Sequence, residues 1–138
     1  MTPKIPHRNL SPHGWWIATY IERAAWDDDL DPNVNSRCIA WENTILIQAA
    51  DRDIAYEKAI ALGSDSESTF SDGKGRTGRW VFEGLVSLLP IYDELRDGAE
   101  LAWEEHRNRT LKKVRSWVRP KHELEAFDDT SPYWDKEN

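Results

Sequence analysis

The chain has 138 residues, of which 18 are basic, 25 are acidic, eight are tryptophan and one is cysteine. A length of this order predicts one domain. The longest apolar runs fall far short of the roughly 18 residues of a transmembrane helix, which excludes a helical membrane-spanning protein. The lone Cys38 excludes an internal disulfide and a cysteine-based zinc site.

The net charge of −7 is a sum over unlike segments. Residues 1–106 carry ten basic and nineteen acidic side chains, residues 107–122 carry seven basic and no acidic ones, and residues 123–138 carry one lysine and six acids. We therefore expect four parts: an irregular N-terminal arm over 1–13, a single domain over 14–106, a basic helix over 107–122 and a flexible acidic tail over 123–138.

The basic helix is the segment whose charge favours an anion. Four of its cations are candidate anion-binding residues: Lys112, Lys113, Arg115 and Arg119. The acidic body would repel phosphates, so we expect nucleic acid to bind only through this helix, if at all. The simplest interpretation is a solvated helix face, and a further one is a helix folded back onto the acidic body.

Two strands are predicted in the first third of the chain. The first covers 14–22, where aromatic and β-branched residues occupy both faces. The second covers about 37–48, where isoleucines and Trp41 share a face that Asn43 interrupts. We expect the two strands to pair as a hairpin.

A helix follows the second strand. Asp51 is placed as its N-cap, and Gly63 stands where a C-cap glycine belongs. Ala55 and Ala59 recur at helical spacing, and their small side chains predict a close approach to a sheet.

Three further strands and a last helix complete the predicted fold. The strands are a short run around Thr69-Phe70, a longer run over 79–89 that Pro90 ends, and an alternating run over 99–106. The last helix covers 110–118. The fold class is therefore α+β, with an antiparallel sheet of four to five strands in the order β-β-α-β-β-β, a helix packed on one face and a C-terminal basic helix.

Several blocks of sequence resemble a known family. They are Trp41-Glu42-Asn43-Thr44 in the second strand, Ala55-Tyr56-Glu57-Lys58-Ala59 in the helix, and Pro90-Ile91-Tyr92-Asp93-Glu94-Leu95 followed by Asp97-Gly98-Ala99-Glu100. Over roughly residues 14–104 the chain resembles the bacterial family called domain of unknown function 4288. The resemblance implies a small cytoplasmic domain of bacteria, and it assigns no activity and no catalytic residue.

The turn after Pro90 is a candidate binding site because polar loops carry function more often than cores do. Its candidate residues are Tyr92, Asp93, Glu94 and Asp97. Clustered carboxylates can act as acid and base, or hold a metal. Capping of the turn by the aspartates is the simpler role.

Glu42 and Asn43 form a polar pair inside an otherwise apolar strand. Polar side chains that are buried need hydrogen-bond partners. One interpretation is a structural contact to a neighbouring loop, such as the turn over 90–98. The other is that Glu42 joins Asp93 and Arg79 in a polar pocket.

The tryptophans suggest binding to a protein, and Trp26 and Trp41 are candidate contacts because exposed tryptophan anchors interfaces. We expect a non-enzymatic interaction domain that binds a protein partner or a second copy through an acidic, aromatic-rich surface. An immunity or defence-associated factor docking onto a basic toxin or nuclease is one version. The alternative is a carboxylate-dependent, hydrolase-like enzyme around Glu42 and Asp93. Because the sequence shows no nucleophile, metal set or cofactor loop, no catalytic residue, metal or cofactor is expected.

Overall fold

The computed structural model describes residues 4–29 and 33–130. The chain divides into two units, residues 1–103 and 104–138. The first unit holds a 3-10 turn at His7–Asn9 and five larger elements: β1 (Trp15–Trp26), β2 (Ala40–Gln48), α1 (Arg52–Asp65), β3 (Thr69–Ser71) and β4 (Thr77–Pro90). The second holds α2 (Leu111–Ser116) and two 3-10 turns, Lys121–Glu123 and Glu125–Phe127.

The first unit is built on one antiparallel sheet with the strand order β2-β1-β4-β3. β1 pairs with β2 through nine consecutive partners, from Trp15–Gln48 to Arg23–Ala40, without a shift. Its pairing with β4 shifts twice within residues 19–22. Such bulges bend a strand and increase its twist. The predicted α+β class and antiparallel sheet are confirmed.

One face of the sheet, the helix face, is partly covered by α1. Asp51 caps the helix as predicted, since its Oδ1 accepts from the Ile54 N–H over 2.9 Å. Ala55 and Ala59 are fully buried. They pack into a core whose other buried members are Trp16, Ala18, Ile47 and Ala49. The small helix residues bring the backbone close to the sheet, so the large core side chains come from the strands.

Gly63 lies inside α1, which corrects the predicted C-cap. The helix continues to Asp65, and Ser66 forms the cap, its N–H bonding to the Gly63 carbonyl over 3.3 Å. A Cβ at Gly63 would lie 2.4 Å from Cε2 of Phe82 on β4. Glycine is therefore needed here for a close approach between helix and sheet, not to end the helix.

On the opposite side of the sheet, the open face, no α-helix of the described part of the first unit is packed, because α1 lies on the helix face. The register places Leu46 and Leu89 on either side of Ile17, so these three side chains form an apolar row across three strands. Leu46 is 47% exposed and Leu89 is 43% exposed. The next row is polar, with the Thr19 and Thr44 hydroxyls 3.1 Å apart. This face therefore presents apolar side chains to solvent.

The predicted strand over 99–106 is absent, and that part of the prediction was wrong. The Glu100 N–H donates to Asp93 Oδ2 over 3.0 Å, which closes the turn. The Trp103 ring lies 5.3 Å from that of Tyr92. These contacts hold the segment as a loop beside the end of β4. Alternating apolar and polar residues are not sufficient for a strand, which also needs an edge with which to pair.

The bounds of β1 and β2 differ from those predicted by more than the bounds of β4, which covers 77–90 where 79–89 was expected. β1 continues to Trp26 because β4 offers partners along its whole length, ending at the Trp26–Gly78 pair. β2 begins at Ala40 and not near residue 37. Trp26 is therefore a strand residue with a fixed position in the sheet.

The second unit has little regular structure. Thr110 caps α2, accepting from the Lys113 N–H over 3.1 Å, and the helix ends at Ser116. One helix over 107–122 is thus not observed. The predicted tail contains a 3-10 turn at Glu125–Phe127, while its part from residue 131 onward lies outside the described residues.

Candidate binding surface

A row of four aromatic side chains lies on the helix face beyond the end of α1. We call it the aromatic row, and it consists of Trp41 on β2, Trp80 on β4, Phe70 on β3 and Trp26 on β1. Trp41 and Trp80 stack with centroids 4.2 Å apart, and Phe70 lies 5.6 Å from Trp80 and 5.0 Å from Trp26. Each of the four is half-buried. The row therefore crosses all four strands as one continuous surface.

Sheet register explains why these rings meet. β1 separates Trp41 from Trp80, and it contributes Ala24 directly opposite Trp80. An alanine leaves room above the central strand, so the two indoles can reach across it. Gly78 has the same role further along, because a Cβ there would lie 2.5 Å from Cζ of Phe70.

A buried carboxylate lies beside the aromatic row. Glu22 is 7% exposed, and its register partners are Trp41 on β2 and Phe82 on β4. Its Oε1 accepts from Asn43 Nδ2 over 2.7 Å. A buried carboxylate requires such a donor, because an unsatisfied charged group in an apolar site is costly. Asn43 interrupts the apolar pattern of β2 in order to meet Glu22.

The far end of the aromatic row is held by charged residues. The Arg76 guanidinium lies 4.0 Å from the centroid of the Trp26 ring. It also binds Asp28 through two contacts of 2.9 and 3.0 Å. That hydrogen bond lowers the pKa of the Asp28 carboxyl and raises the pKa of Arg76. The Asp27 carboxylate accepts from the Thr77 hydroxyl over 2.5 Å. The acidic loop after β1 is thereby fixed next to Trp26.

A groove of about 640 Å³ opens beyond the aromatic row. It lies between the end of β1 and the connection to β2, and its lining includes Trp26, Asp29, Arg37 and the exposed Cys38. Sequence reasoning missed this groove, because the sequence of a loop does not show how the loop folds back beside its strand.

The candidate residues of the turn are occupied in structural contacts or are separate from the aromatic row. Asp93 accepts from the Glu100 N–H, and the Tyr92 hydroxyl donates to the Arg8 carbonyl. Glu94 and Asp97 are exposed. The contact at Asp93 is the capping role that was the simpler expectation.

Glu42 and Asn43 point to opposite faces, as neighbours in a strand do. Glu42 lies on the open face, opposite Ile21, whose partner on β4 is Gly84. Asp93 lies beyond Pro90 at the other end of β4, and Arg79 lies near its beginning. The structure thus does not bring Glu42, Asp93 and Arg79 together. Among the described residues, no group of three histidine, cysteine or carboxylate side chains is arranged to hold a metal.

The candidate anion-binding residues belong to the second unit. Lys112, Lys113 and Arg115 lie on α2 and are exposed. Arg119 follows the helix, where it binds the Glu123 carbonyl over 3.1 Å and pairs with Glu125. The hydrogen bond from the Arg119 guanidinium to the Glu125 carboxylate lowers the pKa of Glu125. Arg119 is therefore partly neutralised within its own unit, whereas the three helix cations have no ion pair among the described residues.

Comparison with known proteins gives one match. A family model, "Domain of unknown function (DUF4288)", matches residues 15–103, which begins with β1 and ends where the first unit ends. No curated protein and no solved structure matches the chain. In the described part of the chain no helix has the length and apolarity needed to cross a bilayer. Because the match covers most of the chain, the protein belongs to the domain of unknown function 4288 family.

Proposed function

We propose that this chain is a non-enzymatic interaction domain that binds a basic partner protein through the aromatic row and the acidic loop beside it. The observation that supports this most directly is the row itself. It leaves four large rings half-buried on a surface that α1 does not cover. Tryptophan is enriched among the residues that dominate binding energies at interfaces.

Charge supports a basic partner. Asp27, Asp28 and Asp29 follow Trp26 directly, and all three are exposed. The residues up to 103 carry ten basic and seventeen acidic side chains. A surface of one sign speeds association with a partner of the opposite sign, and salt weakens that effect. The contact between Arg76 and Trp26 shows how a cation is accommodated at this end of the row.

An immunity or defence-associated factor is the biological version that we favour. Such a factor must mask a basic toxin or nuclease, for which an acidic, aromatic surface is suited. The exposed thiol of Cys38 is compatible with a reducing compartment, and we accordingly propose a cytoplasmic location. The carboxylate-enzyme alternative lacks an assembled site, because Glu42 lies in the sheet row of Ile21 and Gly84, whereas Asp93 lies beyond the end of β4.

The test measures partner binding by two tryptophan variants and two charge variants, and each pair consists of one change at the aromatic row and one control elsewhere. Trp26→Ala removes part of the row, and Trp103→Ala removes a tryptophan that is 61% exposed elsewhere in the unit. Asp29→Lys reverses a charge beside the row, and Asp97→Lys reverses one in the turn. Where a toxin-like gene adjoins the gene for this chain, its product is tested first, with binding measured by calorimetry at two salt concentrations.

We expect Trp26→Ala and Asp29→Lys to weaken binding at least about tenfold, with little change for the two controls. Binding should also weaken as salt rises. A partner that binds all four variants equally well would show that the aromatic row is not the interface. Thermal unfolding of each variant identifies any loss of binding affinity that results from instability of the fold.

A further inference from the structure

The two edges of the sheet differ in how well they are protected. β3 forms one edge and is only three residues long. β2 forms the other and has nine residues, Ala40–Gln48, with no proline, no lysine and no shift in its pairing with β1. Natural sheets normally shorten, bulge or charge an edge strand, because its free backbone groups can pair with another strand. β3 has such protection, and β2 lacks most of it.

In an antiparallel strand, alternate residues turn their N–H and C=O groups toward the same neighbour, and this alternation identifies the free backbone groups of β2. The Ala24 N–H donates to the Ile39 carbonyl, and the Ala49 N–H donates to the Gly14 carbonyl. These two bonds bracket a regular antiparallel ladder, so the odd-numbered residues of β2 turn their backbone groups toward β1. The even-numbered residues turn theirs outward: Ala40, Glu42, Thr44, Leu46 and Gln48. Among the residues described, only the Gln48 carbonyl of this set has a partner, Lys58 Nζ at 2.9 Å.

We propose that a second copy of this chain pairs with β2, antiparallel about a two-fold axis at Thr44, to form a continuous eight-stranded sheet. This register places Thr44 opposite its own copy and Glu42 opposite Leu46 of the partner. A register centred on Glu42 would place two carboxylates directly opposite each other, which is unfavourable. The Thr44 axis keeps these charges apart and uses every outward-facing residue of the strand.

The side chains also match under this symmetry. Leu46 is 47% exposed, and it extends the apolar row that includes Ile17 and Leu89 toward the edge. On the helix face, Ile45 would meet Asn43 of the second copy and Ile47 would meet Trp41. Identical edges pair isologously, so the dimer is closed and does not propagate into a fibre. The dimer interface shares Trp41 with the aromatic row, but it depends on the backbone edge of β2, so the dimer can persist if the proposed function fails.

The experiment measures mass by light scattering and sedimentation over a range of concentrations. The wild-type chain should reach twice its monomer mass of 16.0 kDa as concentration rises. Thr44→Pro removes an outward N–H and no backbone bond to β1, and should leave a monomer; the hydroxyl contact to Thr19 is lost equally in Thr44→Ala, which is therefore the matched control. Thr44→Ala keeps the N–H and should still dimerise. Circular dichroism establishes that both variants are folded.

Two variants that place opposite charges at position 46 test the register even if the proline variant does not fold. Leu46→Glu sets a carboxylate opposite Glu42 of the second copy, while Leu46→Lys sets an ammonium there. The dimer dissociation constant should be about tenfold higher for the glutamate variant than for the lysine variant. A wild-type chain that stays monomeric to about 1 mM, equal dissociation constants for the two variants, or a folded Thr44→Pro dimer would overturn the proposal.

Discussion

Asn43 holds a buried charge in place from the neighbouring strand, because its amide nitrogen donates to Glu22 Oε1 over 2.7 Å. The two residues are 21 positions apart in sequence, and they share the helix face beside the aromatic row. Their hydrogen bond is charge-assisted and lies in a mostly apolar setting.

Replacing Asn43 by alanine should destabilise the protein. The variant leaves the Glu22 carboxylate buried without its donor, which costs about 1.5–3 kcal/mol. Urea unfolding monitored by tryptophan fluorescence measures the change. In a Glu22→Leu background the same Asn43→Ala substitution should cost clearly less, and an undiminished cost there would mean that the hydrogen bond is not the cause.

Gly63→Ala should destabilise the packing of α1 on the sheet. Overpacking typically costs about 1–3 kcal/mol, and the better helix propensity of alanine returns about 1 kcal/mol. The expected net loss is therefore up to about 2 kcal/mol, because the new Cβ would lie 2.4 Å from the Phe82 ring. With Phe82→Leu present, Gly63→Ala should be neutral or stabilising. A loss that persists in that background would contradict this explanation.

Asp51→Ala should destabilise α1 by about 1 kcal/mol through the loss of its N-cap. The Asp51 carboxylate accepts from the Ile54 N–H over 2.9 Å. Asp51→Asn is the matched variant, since its amide oxygen can accept the same bond, and its stability should stay close to that of the wild type. Thermal unfolding of the two variants provides the comparison, and equal losses would show that capping is not the relevant interaction.

Arg76→Gln should raise the pKa of Asp28 toward the ordinary value of about 3.9. In the wild type the hydrogen bond from Arg76 lowers that pKa. The stabilisation by this pair is therefore fully present above the unfolded pKa, and it is lost as pH falls through the folded pKa. Carboxyl chemical shifts in an NMR titration report the change. Arg96→Gln serves as the control and should leave the Asp28 titration unmoved.

Local pattern was sufficient to predict much of the fold. Alternating aromatic and β-branched residues indicated β1 and β2, and Asp51 marked the start of α1 correctly. The same kind of alternation over 99–106 was misleading, because a strand also requires a neighbour with which to pair. Gly63 was placed outside α1 because a helix-ending glycine and a glycine that packs against a sheet look alike in sequence.

Contacts between distant residues could not be predicted. Trp26 meets Phe70 only because β4 brings β3 beside the end of β1. Asn43 was interpreted as one of a polar pair with Glu42, whereas its hydrogen-bond partner is Glu22, which the register places diagonally across from it on β1. Sequence reasoning selected Trp26, Trp41 and Asn43, but it could not place Phe70, Trp80 or Glu22 beside them.

The alternation along β2 limits the insertions and deletions that this strand can accept. Odd-numbered residues bond to β1 and lie on the helix face, while even-numbered residues turn their backbone groups away from β1 and lie on the open face. Inserting or deleting one residue would exchange these two sets along the remainder of the strand, turning Ile45 and Ile47 outward. The nine-residue strand should therefore accept many exposed substitutions but no single-residue insertion, which a library of insertions scored by soluble expression would reveal.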